Sequence, residues 1–282
     1  MTAEQIRQFY DASSALWEET WGEHMHHGYY GPTGQYRVER RQAQIDLIEA
    51  LLAWADIAAP TSILDAGCGI GGSSLYLAEK YSASVTGITL SPVQAVRAQQ
   101  RAMTTGLGDR VSFQVADALA TPFPTANFDL VWSLESGEHM PDKAAFLQEC
   151  YRVLKPGGQL LLATWCHRPT ASLAGPLTAA EQRHLQAIYE VYYLPYVISL
   201  PEYEAIASDS GFVQLRADDW STAVAPFWDE VIRSALDPRT WPGILQAGPD
   251  TLRGAIALWL MRQGYASGLV RFGLLTARKP GE

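Results

Sequence analysis

The run ILDAGCGIGG at residues 63–72 constrains the chain more than any other, because it joins a strand, a glycine-rich turn and a helix. Ile63 and Leu64 end an apolar, strand-like segment, and Asp65 stands where that strand runs out. Gly67, Gly69, Gly71 and Gly72 follow, and then SSLYLAEKY opens a helical pattern. A turn of this kind visits positive φ and lets a ligand approach the main chain with no Cβ in the way, which favours glycine. Backbone N–H groups at the helix start then face the polar part of a cofactor. The order of residues narrows the choice. In the dinucleotide fingerprint the glycines come first and an acid follows about 20 residues later. Here Asp65 precedes the glycines.

Strands and helices alternate around this turn. Residues 62–66, 83–90, 111–117, 128–136 and 158–166 read as five strands, with helical patterns at 73–81, 92–103 and 144–154 between them. Pro92 falls in a first helical turn, where its missing N–H costs little, and KPGG at 155–158 is a helix stop signal. Segments 212–220 and 269–279 read as a final antiparallel pair. The pattern predicts an α/β fold, a doubly wound Rossmann-like sheet with an antiparallel last strand. Residues 4–21 predict an amphipathic helix with Ile6, Phe9, Tyr10, Ser13, Leu16, Trp17 and Trp21 on one face. A second helix is expected at 37–55. About fifty residues between the last two strands are too many for a hairpin loop, so a helical cap is expected there. The division is an N-terminal lid (1–36), a core (37–168), a cap helix (169–200), a continuation of the core (201–220), a helical cap insertion (221–268) and a final core strand (269–282).

Composition excludes several classes. A net charge of −9 argues against a nucleic-acid surface, since phosphate binding needs clustered Lys and Arg. Cys68, Cys150 and Cys166 lack zinc-ligand spacing and point to a reducing interior. His24, His26 and His27 invite a metal reading, but no carboxylate or cysteine has matching spacing, so no metal is expected. No apolar run approaches ~18 residues, and the opening MTAEQIRQFY has no signal or transit character. These features predict a soluble, cytoplasmic chain without a transmembrane segment. Charged residues make up only 18% and tryptophans number 9, which suits either a large aromatic core or a greasy ligand.

In a doubly wound sheet the ligand lies beyond the carboxyl ends of the strands. Asp65, Thr89, Asp117 and Glu135 stand at those ends. The acid-first glycine motif resembles the first motif of class I S-adenosylmethionine-dependent methyltransferases. That resemblance implies S-adenosyl-L-methionine as cofactor, its amino-acid end on the Gly67–Gly69–Gly71 turn. Asp65 would order the turn or reach the amine through water; the plainer alternative is a cap on the following helix. The family usually puts an acid on the ribose hydroxyls at the second strand end. This chain has Thr89, which makes neutral hydrogen bonds in place of charge-assisted ones, with Gln94 sharing the ribose. Asp117 would accept from the adenine amino group and the amide of Ala118 would serve a ring nitrogen; an Asx turn is the alternative. Ser133 joins the cofactor side. Aromatic rings suit a sulfonium cation, and Tyr10, Trp17, Tyr29 and Tyr30 are the candidates.

Five further segments carry a narrower resemblance: residues 9–30, GITLSPVQ, VWSLESGEHMPDK (131–143), TWCHRP (164–169) and ADDWSTAVAPFW (217–228). Together they resemble the gamma-tocopherol methyltransferases over nearly the whole chain. Without the plastid transit segment of plant members, the chain is closest to a compact cyanobacterial form. That form would be cytoplasmic or peripherally membrane-associated in a cyanobacterium-like cell. The resemblance implies C-methylation of a lipophilic phenol, gamma-tocopherol to alpha and delta to beta. A phenol with pKa near ~10 is a poor carbon nucleophile until deprotonated, so a base is needed. His139, Glu135, Glu138 and His167 are the candidates. His139 has the right ordinary pKa, although it could equally pin its loop, and Glu135 could orient it or contact the cofactor. His27, Tyr29 and Tyr30 would face inward from the lid. Tyr193, Trp220, Phe227 and Trp228, with Tyr196, Pro226, Trp259 and Tyr265, would line a channel for the prenyl-derived tail or pack the cap. Alternatives are an indole-amine N-methyltransferase, a methyltransferase of another prenylated phenol or quinol, a nicotinamide dehydrogenase and a non-catalytic cofactor sensor.

Overall fold

The computed structural model describes residues 4, 7, 8, 11, 22–171, 173, 175–235 and 249–281. The expected lid face of Ile6, Phe9, Tyr10, Ser13, Leu16, Trp17 and Trp21 lies outside them. Seven strands form one sheet: β1 (Ser62–Ala66), β2 (Ser84–Thr89), β3 (Val111–Val115), β4 (Phe128–Leu134), β5 (Leu154–His167), β6 (Val213–Asp219) and β7 (Val270–Arg278). Their order across the sheet is β3-β2-β1-β4-β5-β7-β6. Strands β1 to β5 pair in parallel, and β7 runs antiparallel to both β5 and β6. The antiparallel strand is thus inside the sheet, with β6 at the edge.

Both faces are buried, as a parallel sheet requires. Along β5, Leu160 and Leu162 pack into one core while Leu161 and Ala163 pack into the other. Trp132 on β4 is wholly buried, and fully burying a large apolar side chain contributes roughly 1.5–3 kcal/mol. The helices that cover the faces are α1 (Arg40–Trp54), α2 (Gly72–Tyr81), α3 (Pro92–Thr104), α4 (Lys143–Val153), α5 (Ala179–Tyr192) and α6 (Leu200–Asp209). Three more, α7 (Ser221–Val224), α8 (Pro226–Ala235) and α9 (Pro249–Ala266), fall between β6 and β7. Local chemistry sets their starts. Ser91 caps α3 by accepting from the Gln94 N–H at 3.0 Å, with Pro92 next in line. Thr178 and Glu181 form a reciprocal capping box at α5.

One local expectation differs. KPGG ends α4, as its stop signal predicts, but β5 already begins at Leu154 and runs through it. Tertiary pairing accounts for this: Leu154 lies beside Phe128, and the Gly157 N–H donates to Lys279 O at 3.0 Å.

The segment before α1 crosses the carboxyl ends of the strands. The Tyr29 N–H donates to Ala43 O at 2.8 Å, and the Tyr30 N–H to Ala223 O at 2.9 Å. Gln44, fully buried on α1, donates its side-chain amide to the carbonyls of His24 and His26. A buried amide with two carbonyl partners fixes an irregular segment that has no ladder of its own.

Candidate active site

A cavity of about 200 Å³ opens where β1, β2 and β4 end. Its floor is the turn after β1. Gly67 has φ +97°, and a Cβ there would sit 2.2 Å from the Ser136 Cβ, so this glycine closes the turn against the loop after β4. Gly69 has φ +52°, and a Cβ there would meet only the Met25 Sδ, at 4.0 Å. The space over Gly69 is therefore open, a cradle that a side chain would fill. Gly71 lies beneath, against Phe113 and Ala98.

Asp65 lines this floor, almost wholly buried, and accepts from the Ser74 hydroxyl at 2.6 Å. Burial pushes its carboxyl up to about 7 in spite of that hydrogen bond. At the end of β2, Thr89 donates to Gln94 Oε1 at 2.7 Å and accepts from the Ser91 N–H at 3.1 Å. Both Thr89 and Gln94 are buried cavity residues. Ser91 in turn donates to Asp11 at 2.5 Å, which ties Asp11 to this strand end. Asp117 and Ala118 line the same part of the cavity. Asp117 is exposed and accepts from the Leu119 N–H at 2.9 Å. It makes an Asx turn and lines the cavity at once. Ser133 is buried below, its hydroxyl 2.7 Å from that of Ser136, and does not line the cavity.

The opposite wall comes from β4, β5, α5 and residues 23–26. Glu135 follows β4 with φ +52°, a conformation that costs a non-glycine residue on the order of 1–3 kcal/mol and is found where surroundings hold it in place. Three donors do so: the His27 N–H at 2.6 Å, His27 Nδ1 at 2.8 Å and Trp165 Nε1 at 3.0 Å. Burial pushes the Glu135 carboxyl up, but the His27 ring and these hydrogen bonds outweigh it and hold the group below its ordinary range. His27 does not itself line the cavity. It is boxed by the rings of Trp165, Phe227, Trp228, Tyr265 and Phe272, with centroids 4.9 to 6.0 Å away.

Residues 137–139 form a short 3-10 turn. Lys143, almost wholly buried, donates to the carbonyls of Gly137, Glu138 and Met140 at 2.7 to 3.0 Å and so clamps this turn. Glu138 accepts from the Thr164 hydroxyl at 2.7 Å. Burial, and then the Glu135 charge, push its carboxyl up to about 8. His139 lines the cavity, and burial followed by the Lys143 charge lowers its ring to about 3. It is a neutral imidazole through the physiological range.

The remaining residues named from sequence lie elsewhere. His167, at the end of β5, gives its Nδ1 hydrogen to the Arg168 carbonyl at 2.7 Å and sits 3.7 Å from Glu202. Tyr29 stacks near Trp220, centroids 5.2 Å apart, and Trp220 also meets Trp54. Tyr30, Phe227 and Trp228 are buried core residues, and Tyr193 ends α5 with φ +54°. None of these lines the cavity, whereas Trp165 and Tyr192 do. Sequence reading passed over those two, along with Met25 and the Lys143 clamp, and raised His24 and His26 only as metal ligands. The repeated histidines were the available signal. Among the described residues no group of His, Cys, Asp or Glu is arranged to hold a metal.

Residues 64–162 match the family model described as a methyltransferase domain. A relative from Oryza sativa subsp. japonica named probable tocopherol O-methyltransferase, chloroplastic, is 49% identical over 98% of this chain and 78% of its own length. The tocopherol O-methyltransferase, chloroplastic, of Arabidopsis thaliana is 45% identical over 98% of this chain and 82% of its own. The chain belongs to the tocopherol methyltransferase family. The fold agrees: geranyl diphosphate C-methyltransferase from Streptomyces coelicolor A3(2) superposes with a TM-score of 0.78 at 22% identity, covering 98% of this chain and 97% of that one. As a member of the family the chain is an S-adenosylmethionine-dependent methyltransferase with the class I Rossmann-like α/β fold. The open cradle over Gly69, ringed by backbone groups and by Asp65, Thr89 and Asp117, fits such a cofactor. Family membership also removes the dehydrogenase and sensor alternatives. Among the described residues no helix is long and apolar enough to cross a membrane.

Proposed function

We propose that this enzyme methylates the chromanol ring of a tocopherol at the carbon beside the phenol, gamma-tocopherol to alpha and delta-tocopherol to beta. One observation carries the reading. The cavity joins a cofactor cradle to a wall of Glu135, His139, Trp165 and Tyr192, in a chain 45–49% identical to proteins named for tocopherol. S-adenosylmethionine supplies an electrophilic methyl group. Gly67, Gly69 and Asp65 hold its amino-acid end, Thr89 and Gln94 its ribose, and Asp117 with the Ala118 amide its adenine. Gly71 and Ser133 support that floor from below. The aromatic wall packs the acceptor ring and excludes water, which strengthens polar contacts inside. Residues 22–36, the 169–200 segment and the helices between β6 and β7 cover the site. Tyr30, Phe227 and Trp228 serve this cover as packing. His167 stands apart from the cavity and takes no part in the chemistry.

The test is incubation with labelled S-adenosylmethionine and, separately, gamma- and delta-tocopherol, tocotrienols, a prenylated hydroquinone and an indole amine. The expected product carries a new aryl methyl and keeps its free phenol. A methyl ether would replace ring methylation with the O-methylation that the relatives' names state. Turnover of the indole amine alone would replace the phenol with a nitrogen acceptor.

A further inference from the structure

Methylation at the ring carbon needs a base for the phenol, and the cavity holds an imidazole suited to it that the sequence raised only as a metal ligand. His26 is about nineteen-twentieths buried and lines the cavity. Its Nδ1 lies 2.8 Å from the His27 carbonyl oxygen. A carbonyl oxygen only accepts, so Nδ1 carries the hydrogen and the neutral ring keeps its lone pair on Nε2. Among the described residues that Nε2 is buried and has no hydrogen-bond partner. A buried polar atom left unsatisfied costs about 1–3 kcal/mol, a cost explained if a ligand supplies the missing partner. The ring is also held from behind, since Gln44 pins the carbonyls of His24 and His26.

Resting on the proposed phenol methylation, we propose that His26 is the general base of this enzyme, with Nε2 accepting the phenolic proton and the His27 carbonyl fixing its tautomer. Glu135 serves as the counter-charge. It is ionised, and it favours the protonated form of His26 against burial, which on balance keeps the resting ring neutral. His24 lies 5.3 Å away between ring centroids, and His27 is the other titratable neighbour. Glu23, Asp65, Asp117, Glu138 and His139 face the same cavity.

The hydroxyl proton moves to Nε2 as the oxygen pair enters the ring, and the ortho carbon bonds the methyl while the carbon–sulfur bond breaks with its pair left on sulfur. The oxygen then retakes the proton from His26, the ortho hydrogen leaves to water, and one proton is released overall. His139, held neutral beside Lys143, is left to position the turn.

The test uses the full chain and the variant His26→Asn, whose amide still donates to the His27 carbonyl but offers no ring nitrogen. First, rescue by added imidazole is read at neutral pH, since a free base can act where the ring is missing. Imidazole is expected to restore part of the variant's kcat and to leave the wild type unchanged. Second, turnover is followed from neutral to alkaline pH. The variant is expected to lose about 10²–10⁴-fold in kcat at neutral pH, with cofactor Kd by calorimetry within twofold. The deficit should shrink as the phenol ionises by itself. Unchanged turnover, or a deficit that stays constant with pH, would overturn the assignment. His139→Asn showing the imidazole-rescued, pH-dependent deficit while His26→Asn shows none would transfer the role to His139. If the wild type turns over no phenol at all, the proposed acceptor falls, and the base assignment with it.

Discussion

The end of the cavity proposed to hold the cofactor is made from residues close together in sequence. Asp65 and Ser74 are nine apart, Thr89 and Gln94 five, and the glycines follow one another within a single turn. The end proposed to face the acceptor is made from residues far apart. The His27–Glu135 contact spans 108 residues, Trp165 reaches Glu135 across 30, and Gln44 holds the carbonyl of His26 across 18. The first end works through backbone geometry, and losing one side chain there costs one contact. The second works through buried charges and hydrogen bonds that complete one another, so losing one member leaves another unsatisfied.

The largest effect should therefore come from the acceptor end. Glu135→Ala leaves the buried His27 ring and the Trp165 N–H without their acceptor. Stability should fall by about 3–5 kcal/mol, the usual cost of breaking a buried pair, and turnover by at least about 10²-fold. Chemical denaturation and steady-state rates check this; a loss below about 1 kcal/mol would erase the contrast between the two ends.

Gly67→Ala comes next. Its Cβ would fall 2.2 Å from that of Ser136 at φ +97°, so about 3 kcal/mol of destabilisation is expected from overpacking and backbone strain together. A melting temperature equal to wild type would show that the loop after β4 yields easily.

Glu138 offers a pH test. Burial raises it from an ordinary 4.5 to about 8, so within that window the folded chain keeps a proton that the unfolded chain has released. Its stabilising contribution is full below the window and is lost as pH rises through it. Relative to Glu138→Gln, the wild type should weaken from about pH 5 to about pH 8 by about 3–4 kcal/mol. Parallel stability curves for the two proteins would place Glu138 in ordinary ionised form.

Gly69→Ala should have the smallest effect on stability, about 1 kcal/mol for its positive φ, because the space above it is open. Cofactor affinity should suffer instead, by about tenfold or more in calorimetry, as a methyl group fills the cradle. Equal affinity in the variant would move the cofactor away from this turn.

The same contrast explains what could be read without coordinates. Strand and helix alternation comes from local periodicity, so the five parallel strands, the antiparallel last strand and Pro92 in the first turn of α3 were legible. KPGG was read only as an end because β5 begins within it by pairing with β4, a distant partner. Asp117 was left between an Asx turn and a ligand contact, and the structure shows the turn on the cavity wall. Phe227 and Trp228 look alike as lining or packing in a sequence; their complete burial around His27 sets them in the core.

By itself, the sequence determined the class I fold and the glycine turn after β1, because an acid before closely spaced glycines at a strand end is a local backbone instruction. Tertiary structure alone decided which polar groups share the cavity and in what charge state. His26, His27, Glu135, Glu138 and His139 differ in burial and partners although they lie within two short segments. The physical reason is that protonation and tautomer depend on desolvation and on neighbours brought from elsewhere in the chain.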